Sequence, residues 1–428
     1  MDRNAFVIGM DEFNLATMQG LREAHRYTFH GLLPLEQVLK ADAYDYEQLV
    51  ADADQQLWKC GHSVDAIVTW WDFPSTGLLP VLSELWDLPG PDLRAIVALE
   101  HKYWSRLEQR AAAGDHVPPF TVFDPFDDEA LATIGRHGVA LPFWVKPVKS
   151  VGSYLGFRIE TPEDFEEAMV ETRAGIAQYG EPFQQVLNRV DAPPMVRNAG
   201  ALACIAESII SGWQCTVEGY VSGGKAVPYG LVDSITEPNS STFRGYQYPS
   251  QLPEPIQRRM YDIATDVIRH VGLDHCCFNI EFYYDETAGR IWLLEVNTRT
   301  SQSHCDLFAK VDGASTQRAM LDVAQGRAPR MPHRQGTHRV AGKLYLRTTR
   351  DGIVHALPDD EQLRKVTERF TGTRIAFDVG VGDRLSDLNV QESYSYELGH
   401  AFVGAESHAQ LDERFDQIAT TLTFDIAR

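Results

Sequence analysis

A chain of 428 residues exceeds what one hydrophobic core supports, since single cores stop growing near ~250 to 300 residues, so at least two domains follow. Its 39 lysines and arginines stand against 60 aspartates and glutamates, and the net charge of −21 repels polyanions, which argues against nucleic acid and anionic membranes as partners. A hydrophobic content of 44% with 22 prolines spread along the chain excludes a disordered polymer.

No basic segment followed by an apolar run opens the chain, and no apolar stretch approaches the ~18 residues of a membrane helix, so the expected location is the cytoplasm. Cys60, Cys204, Cys215, Cys276, Cys277 and Cys305 contain no CxxC pair, and reduced, buried thiols are expected.

In chain order, Phe6-Val7-Ile8-Gly9 before a helix, and Ala66 to Trp71 before Gly77 and an apolar helix, follow βαβ grammar. Gly9 is a lone glycine and reads as scaffold. Residues 91–113 read as one helix with Lys102 and Arg106 four apart on one face, and Pro118-Pro119 then marks a boundary. Two strands, 143–147 and 154–159, flank the small-residue loop 150–153. Thr161 is the expected N-cap of a helix with Pro162 in its first turn. Strands follow at 204–210, 215–221 and 227–235, with a Ser222-Gly223-Gly224-Lys225 turn between the last two. Ile256, Met260, Ile263, Val267 and Val271 then trace a helix. Beyond Pro332, strands are expected at 340–346, 353–357 and 400–404, and a helix from about Ser407.

The hairpin between these last two regions is the most informative segment. Period-two alternation places Phe278, Ile280 and Phe282 on one face and Asn279, Glu281 and Tyr283 on the other. On the return strand Glu295 and Asn297 share a face. Pairing Tyr284 with Arg290 makes the two glutamates diagonal neighbours, an unfavourable arrangement unless a cation lies between them. Two carboxylates and an amide oxygen suit Mg²⁺, which keeps its remaining positions for water and phosphate. The same pattern also describes a solvated acidic face. Arg299, two residues past Asn297, is placed to hold a phosphate or a developing oxyanion.

Lys146, followed by the Ser150 to Ser153 loop, could bring an ammonium and backbone N–H groups onto phosphate oxygens. Lys102 offers a second phosphate contact. The strand end Glu207-Ser208-Ile209-Ile210 could read an adenine edge, and Gln214 and Glu218 could reach a ribose or a metal. Taken in order, Lys102, Val145-Lys146-Pro147 with Gly152-Ser153, Glu207 to Ile210, Thr216 to Gly219, Asn279 to Phe282 and Leu294 to Arg299 resemble the ATP-grasp superfamily, specifically its carboxylate–amine ligases of the L-amino acid ligase kind.

That resemblance implies an α/β (α+β) fold of ATP-grasp architecture. Residues 1–117 would be an N-terminal Rossmann-like pre-ATP-grasp domain and 118–207 the small lobe or lid. Residues 208–331 would be the large lobe with the metal site, and 332–428 a C-terminal β-rich subdomain. It implies ATP phosphates on Lys102 and Lys146 under a lid containing Ser150, Gly152 and Ser153, and adenine on the Ser208 and Ile210 backbone with Glu207 at the hinge. Gln214 and Glu218 complete the nucleotide set. Glu281, Glu295 and Asn297 would hold two Mg²⁺, with Mn²⁺ as a substitute, and Arg299 and Lys146 would be catalytic. Arg244, Tyr246, Tyr248 and His304 lie in segments that would border an acceptor pocket, and serve equally as surface and packing residues.

Ser150 stands where many members have glycine, Gln214 where a ribose-binding glutamate is frequent, and Thr300-Ser301-Gln302 where others carry glycines. The implied reaction joins a small-molecule carboxylate to an amine through an acyl phosphate and releases ADP and phosphate; a homodimeric assembly is compatible with it. A biotin carboxylase-type carboxylase and a non-catalytic ATP-binding module are the alternatives.

Overall fold

The buried run Ala5-Phe6-Val7-Ile8 becomes the middle of β1 (Arg3–Ile8) in the computed structural model, which describes residues 3–39, 43–237, 242–388 and 395–427. β2 (Tyr27–Leu32) and β3 (Ala66–Val68) flank β1, and both pair with it in parallel. Parallel neighbours need crossover connections, and helices Glu12–Gln19 and Tyr46–Lys59 lie in the two crossovers. Gly9 ends β1 with φ 65°, and a Cβ there would meet Val38 and Trp71, so the residue serves packing.

Residues 91–113 form two helices rather than the single one expected. Leu93–Glu100 and Lys102–Ala113 are separated by His101, whose ψ of 100° leaves the helical region. The break is stabilised from both sides of a buried imidazole: Nδ1 accepts from the Trp104 N–H at 3.3 Å, and Nε2 lies 3.1 Å from the Gly200 carbonyl. Burial pushes the ring down to about 4, so it is neutral, and these partners fix its tautomer as Nε2–H. The Lys102 N–H, freed from the helix ladder, donates to the Val148 carbonyl at 2.7 Å.

β4 (Phe120–Phe123), β5 (Phe143–Pro147), β6 (Phe157–Ile159) and β7 (Cys204–Ser208) form an antiparallel sheet in the order β4-β7-β5-β6. Its apolar face packs Phe143, Val145, Ile159 and Ala206 against Phe165 and Met169 of helix Pro162–Gly175. The Thr161 side chain accepts from the Asp164 N–H while the Asp164 carboxylate takes the Thr161 N–H, a reciprocal cap that fixes where this helix starts.

The third sheet of this part is antiparallel and built from β8 (Trp213–Ser222), which turns at 223–224 into β9 (Lys225–Thr236). β10 (Phe243–Tyr248) follows in the chain, and then β11 (Cys276–Asp285) pairs with β8 on one side and with β12 (Arg290–Asn297) on the other. The hairpin pairs Asp285 with Arg290, one residue off the expected register, and a β-bulge follows between Glu281 and Phe282. The extra residue is Leu294, so the buried positions of β12 step from Ile291 and Leu293 to Val296.

The chain divides into two compact units, Met1–Tyr229 with Pro253–Ser301 and Gln317–Arg330, and Gly230–Leu252 with Gln302–Thr316 and Met331–Arg428. In the second unit β10 pairs with the end of β9 and with β13 (Val340–Thr348). β14 (Ile353–Ala356) lies apart, and β15 (Arg374–Phe377) pairs with β16 (Tyr396–Ala405), which also pairs with β13. β14 pairs with β17 (Asp425–Ala427). Leu344, Leu398, Ala401 and Val403 pack with Leu411, Phe415 and Ile418 of helix His408–Thr421, whose N-cap is Ser407. Helix Asp360–Arg369 buries Val366, with Leu363 packed against the same core. None of the described helices is long and apolar enough to cross a membrane, and no disulfide joins the six cysteines.

Replacing Thr161 by alanine removes one half of the reciprocal cap and is expected to cost about 1 kcal/mol of stability, read as a lower urea midpoint with an unchanged m-value.

Candidate active site

Three strands of the first unit carry the polar residues in rows. β8, β11 and β12 align Thr216, Glu281 and Glu295 in one row and Glu218, Asn279 and Asn297 in the next. The bulge at Leu294 makes Glu281 and Glu295 directly opposite, not diagonal as the sequence register implied. Directly opposed residues share a face, so two carboxylates lie at the closest cross-strand position a sheet offers.

Their environments differ. Burial, and then the charge of Glu295, push the Glu281 carboxyl up to about 6. Burial raises Glu295 as well, but Lys102, Lys146 and Lys149 outweigh it and hold that carboxyl at about 2. Lys102 Nζ donates to Glu295 Oε1 at 2.5 Å and to the Ser150 carbonyl at 3.3 Å. The helix break at His101 is what places Lys102 there, at the first residue of its helix. Among the described residues Glu281 receives amide donors: Asn297 Nδ2 at 3.3 Å and Gln214 Nε2 at 3.5 Å, the latter with Gln214 Oε1 accepting from the Tyr283 hydroxyl at 3.0 Å.

Glu207 is buried at the end of β7 and bonds both Arg106 Nε and Lys146 Nζ, the second at 2.8 Å. Burial pushes its carboxyl up, and Arg106 and Lys146 outweigh it, holding it at about 2. Arg106 in turn donates to the Leu293 carbonyl at 2.8 Å and to Gln109 at 2.6 Å, tying its helix to β12. Its role four residues after Lys102 is therefore a buried strut.

Arg299, just past β12, sits with its guanidinium against Asp72: Nε to Oδ1 2.7 Å and Nη2 to Oδ2 3.0 Å. Burial works against its charge, but Asp72, Glu100 and Glu218 outweigh it and raise its pKa further. Glu218 is buried and accepts from the Ser301 N–H at 3.3 Å. Glu100 joins Lys149 to Thr298, whose hydroxyl donates to it at 2.9 Å, and the Lys149 ammonium lies 5.2 and 5.3 Å from the Phe73 and Phe183 ring centres. Sequence reasoning missed Asp72, Glu100, Arg106 as a strut, and Lys149. The one available signal was Lys149, the second lysine of Lys146-Pro147-Val148-Lys149, while the acids lie in segments with no local motif.

The loop after β5 runs through Ser150, which is buried, to Gly152 and Ser153, which are exposed at φ 56° and 62°. Consecutive left-handed residues favour glycine, and Ser153 occupies such a position without one. At the other strand end the Ser208 N–H donates to the Pro119 carbonyl at 2.9 Å, and Ile210 is half-buried. Arg244, Tyr246, Tyr248 and His304 all fall in the second unit. There Arg244 approaches Asp412 and Asp416 at 3.4 Å, Tyr246 meets the His304 ring edge-on at 4.6 Å, and the buried Tyr248 hydroxyl donates to Asp312 at 2.6 Å.

The donor set on β11 and β12 fits a hard cation. Two half-buried carboxylates face each other, one of them hydrogen-bonded by amides, and Asn297 Nδ2 is engaged by Asn279 and Glu281 so that Oδ1 is its remaining ligand atom. Lys102, Lys146, Lys149, Arg106 and Arg299 are met by Glu100, Glu207, Glu218, Glu281, Glu295 and Asp72, so the cluster has no positive surplus with which to receive a polyphosphate unaided. In the second unit Asp378, Glu397 and His400 also cluster within ligand distance, but Arg347 lies 3.5 Å from Glu397 and Lys343 is close to both acids, which balances their charge without an ion.

Residues 139–306 match the family model described as an ATP-grasp domain. A D-alanine–D-alanine ligase of Alkalilimnicola ehrlichii is 29% identical over 190 residues, 42% of this chain and 50% of that protein. The carbamoyl phosphate synthase large chain of Clavibacter sepedonicus is 34% identical over 94 residues, 22% of this chain and 8% of that protein. The chain thus spans half or less of the length of these relatives. Among solved structures, the L-amino acid ligase from Bacillus licheniformis superposes with a TM-score of 0.73 at 16% identity, over 100% of this chain and 99% of that one. A biotin carboxylase from Campylobacter jejuni superposes with a TM-score of 0.65 at 15% identity, over 99% and 92%. At these identities the likeness is one of fold.

Glu207 offers a test of the buried network. Because its folded value of about 2 lies below the ordinary 4.5, the stability it contributes is present above pH 4.5 and is lost as pH falls toward 2. Glu207→Gln leaves Arg106 and Lys146 without their carboxylate and is expected to cost about 3 to 5 kcal/mol at pH 7. In urea unfolding the gap to wild type should narrow from pH 5 to pH 3; a pH-independent gap would show that Glu207 is not ionised in the fold.

Proposed function

From the premise that residues 139–306 are an ATP-grasp domain within an ATP-grasp fold, we propose that this protein is an ADP-forming ligase that joins a small-molecule carboxylate, an amino acid or a close relative, to an amine. The observation that carries the reading is the directly opposed Glu281 and Glu295, with Lys102 on one of them, Lys146 held through Glu207, and Arg299 two residues past Asn297. A module that only bound nucleotide would need the lysines but not the acid pair and the arginine together.

In this reading Lys102 and Lys146 bind the ATP phosphates, exchanging contacts with Glu295 and Glu207 for phosphate oxygens, under the loop of Ser150, Gly152 and Ser153. The Ser208 and Ile210 backbone holds adenine beside Glu207, and Gln214 and Glu218 complete the nucleotide's surroundings. Glu281, Glu295 and Asn297 hold two Mg²⁺ or Mn²⁺. Bound divalent ions would neutralise β- and γ-phosphate charge that the balanced cluster cannot absorb.

A carboxylate is a poor electrophile. Its oxygen attacks the γ-phosphorus, the bond to the bridging oxygen breaks, and ADP leaves with that electron pair. The amine nitrogen then attacks the acyl carbon, and phosphate departs as the amide forms. Arg299 faces the charge that grows on the acyl oxygen, and the protein's contribution is chiefly position and fixed charge. We read residues 1–117, 118–207, 208–331 and 332–428 as the scaffold, lid, metal-bearing and closing parts of this machine. Arg244, Tyr246, Tyr248 and His304 remain its candidate acceptor contacts.

Glu295→Gln is expected to reduce amine-dependent ADP release at least ~10³-fold, measured with ATP, Mg²⁺ and a matrix of amino acids and with mass detection of the condensed product, while thermal unfolding stays cooperative. Undiminished turnover in this variant sinks the assignment. ADP release that depends on bicarbonate and not on any amine would favour the carboxylase alternative, and tight ATP binding with no turnover across the matrix would favour the non-catalytic module.

A further inference from the structure

We propose that Asp72 is a positioning residue that sets the orientation of Arg299 for acyl transfer; the inference rests on the ligase reading above. Asp72 and Arg299 are 227 residues apart in sequence, and nothing local in either segment pairs them. Both carboxylate oxygens are used, each by a different guanidinium nitrogen, and the two planar groups meet fork to fork. This geometry fixes the plane of the guanidinium as well as its place, which a single hydrogen bond does not.

The mount of Asp72 is rigid. Its carbonyl accepts from the Ser75 N–H at 2.9 Å at the start of helix Ser75–Leu85. On one side Trp71 Nε1 donates to the Gly9 carbonyl at 2.7 Å. On the other, Phe73 is buried, edge-on to Phe183 at 5.2 Å and stacked on Tyr46 at 6.2 Å. Arg299, by contrast, has a long flexible stem outside the strand ladder. Glu100, Glu218 and Glu281 also act on its charge. Without Asp72 the guanidinium would be drawn to one of these, and capture by Glu281 would remove a residue of the proposed cation set. The fork uses Nε and Nη2 and leaves Nη1 outside it. Because the carboxylate cancels much of the guanidinium's charge, the pair serves direction rather than attraction, and nucleotide affinity should not depend on it.

The test has two arms, on wild type, D72N, D72E, R299Q and the double variant D72N/R299Q. The first measures ATP turnover with hydroxylamine as amine and a carboxylate found active in the amino-acid matrix. D72N is expected to lower kcat about 10²-fold with KM for ATP within about twofold, D72E to recover part of the loss, and D72N to add less than about twofold to R299Q. A D72N effect that persists in full on R299Q, or a loss confined to KM for ATP, overturns the proposal. The second arm follows the Nε–H resonance of Arg299 by NMR, assigned through its absence in R299K. Slow solvent exchange in wild type and D72E and its loss in D72N are expected; an unchanged signal in D72N overturns the pairing. Should wild type turn over no ATP with any substrate, the ligase reading falls while the NMR arm still decides whether Asp72 orients Arg299. If D72N does not fold, D72E decides: wild-type kcat with the Nε–H signal lost overturns the proposal, and lowered kcat at unchanged KM with the signal kept supports it.

Discussion

Two like charges held face to face on a half-buried sheet face are the constraint around which the first unit is arranged. Glu281 and Glu295 occupy the closest cross-strand position because one residue, Leu294, is bulged out of the β12 ladder. Without that bulge the register of the hairpin end would set Glu295 opposite Ile280, on the other face of the sheet from Glu281. With it, the fold must supply positive charge, and it does so unequally. Glu295 receives an ammonium, which outweighs burial and holds its carboxyl at about 2, whereas Glu281 is bonded by amides among the described residues and burial pushes its carboxyl up to about 6. An opposed pair of acids is an arrangement that a divalent cation would complete.

The counter-charges arrive from distant places in the chain, each delivered by a local device with a physical cause. Lys102 comes from a helix start made by the buried, neutral His101. Lys146 is steadied by Glu207, itself shared with Arg106, whose bond to the Leu293 carbonyl ties a helix to the bulged strand. Lys149 and Thr298 meet on Glu100, and Arg299 meets Asp72. The result is a charged cluster nearly balanced within itself. Such clusters are costly to assemble and more costly to break, because deleting one partner strands the other in a low dielectric. They hold side chains in place, which is the property a group-transfer site needs most.

Much of this was legible in the order of residues. The alternation of Phe278, Ile280 and Phe282 with Asn279 and Glu281 predicts the inward and outward faces of β11, and all three apolar residues are buried. Thr161 is the N-cap as expected, and the strands 340–348 and 396–405 contain the expected 340–346 and 400–404, the second extending four residues further at its start. These features rest on local periodicity and turn chemistry, so a window of ten residues contains the information. Two of the local departures have physical reasons as well. A helix period continues through His101, because one capping side chain can end a helix without disturbing the pattern around it. A bulge shifts register by one residue, and the Leu293-Leu294 step that signals it is equally compatible with a regular strand.

What the sequence alone determined was a set of candidate residues on the hairpin and in the loop after β5, together with their likeness to a nucleotide-dependent ligase. Which residue answers which was decided only by the tertiary structure. Asp72 with Arg299, Glu100 with Lys149 and Thr298, and Glu207 with Arg106 and Lys146 are pairings between segments up to 227 residues apart. Ion pairing depends on distance through space and on the exclusion of water, and neither is encoded in any local pattern of the chain.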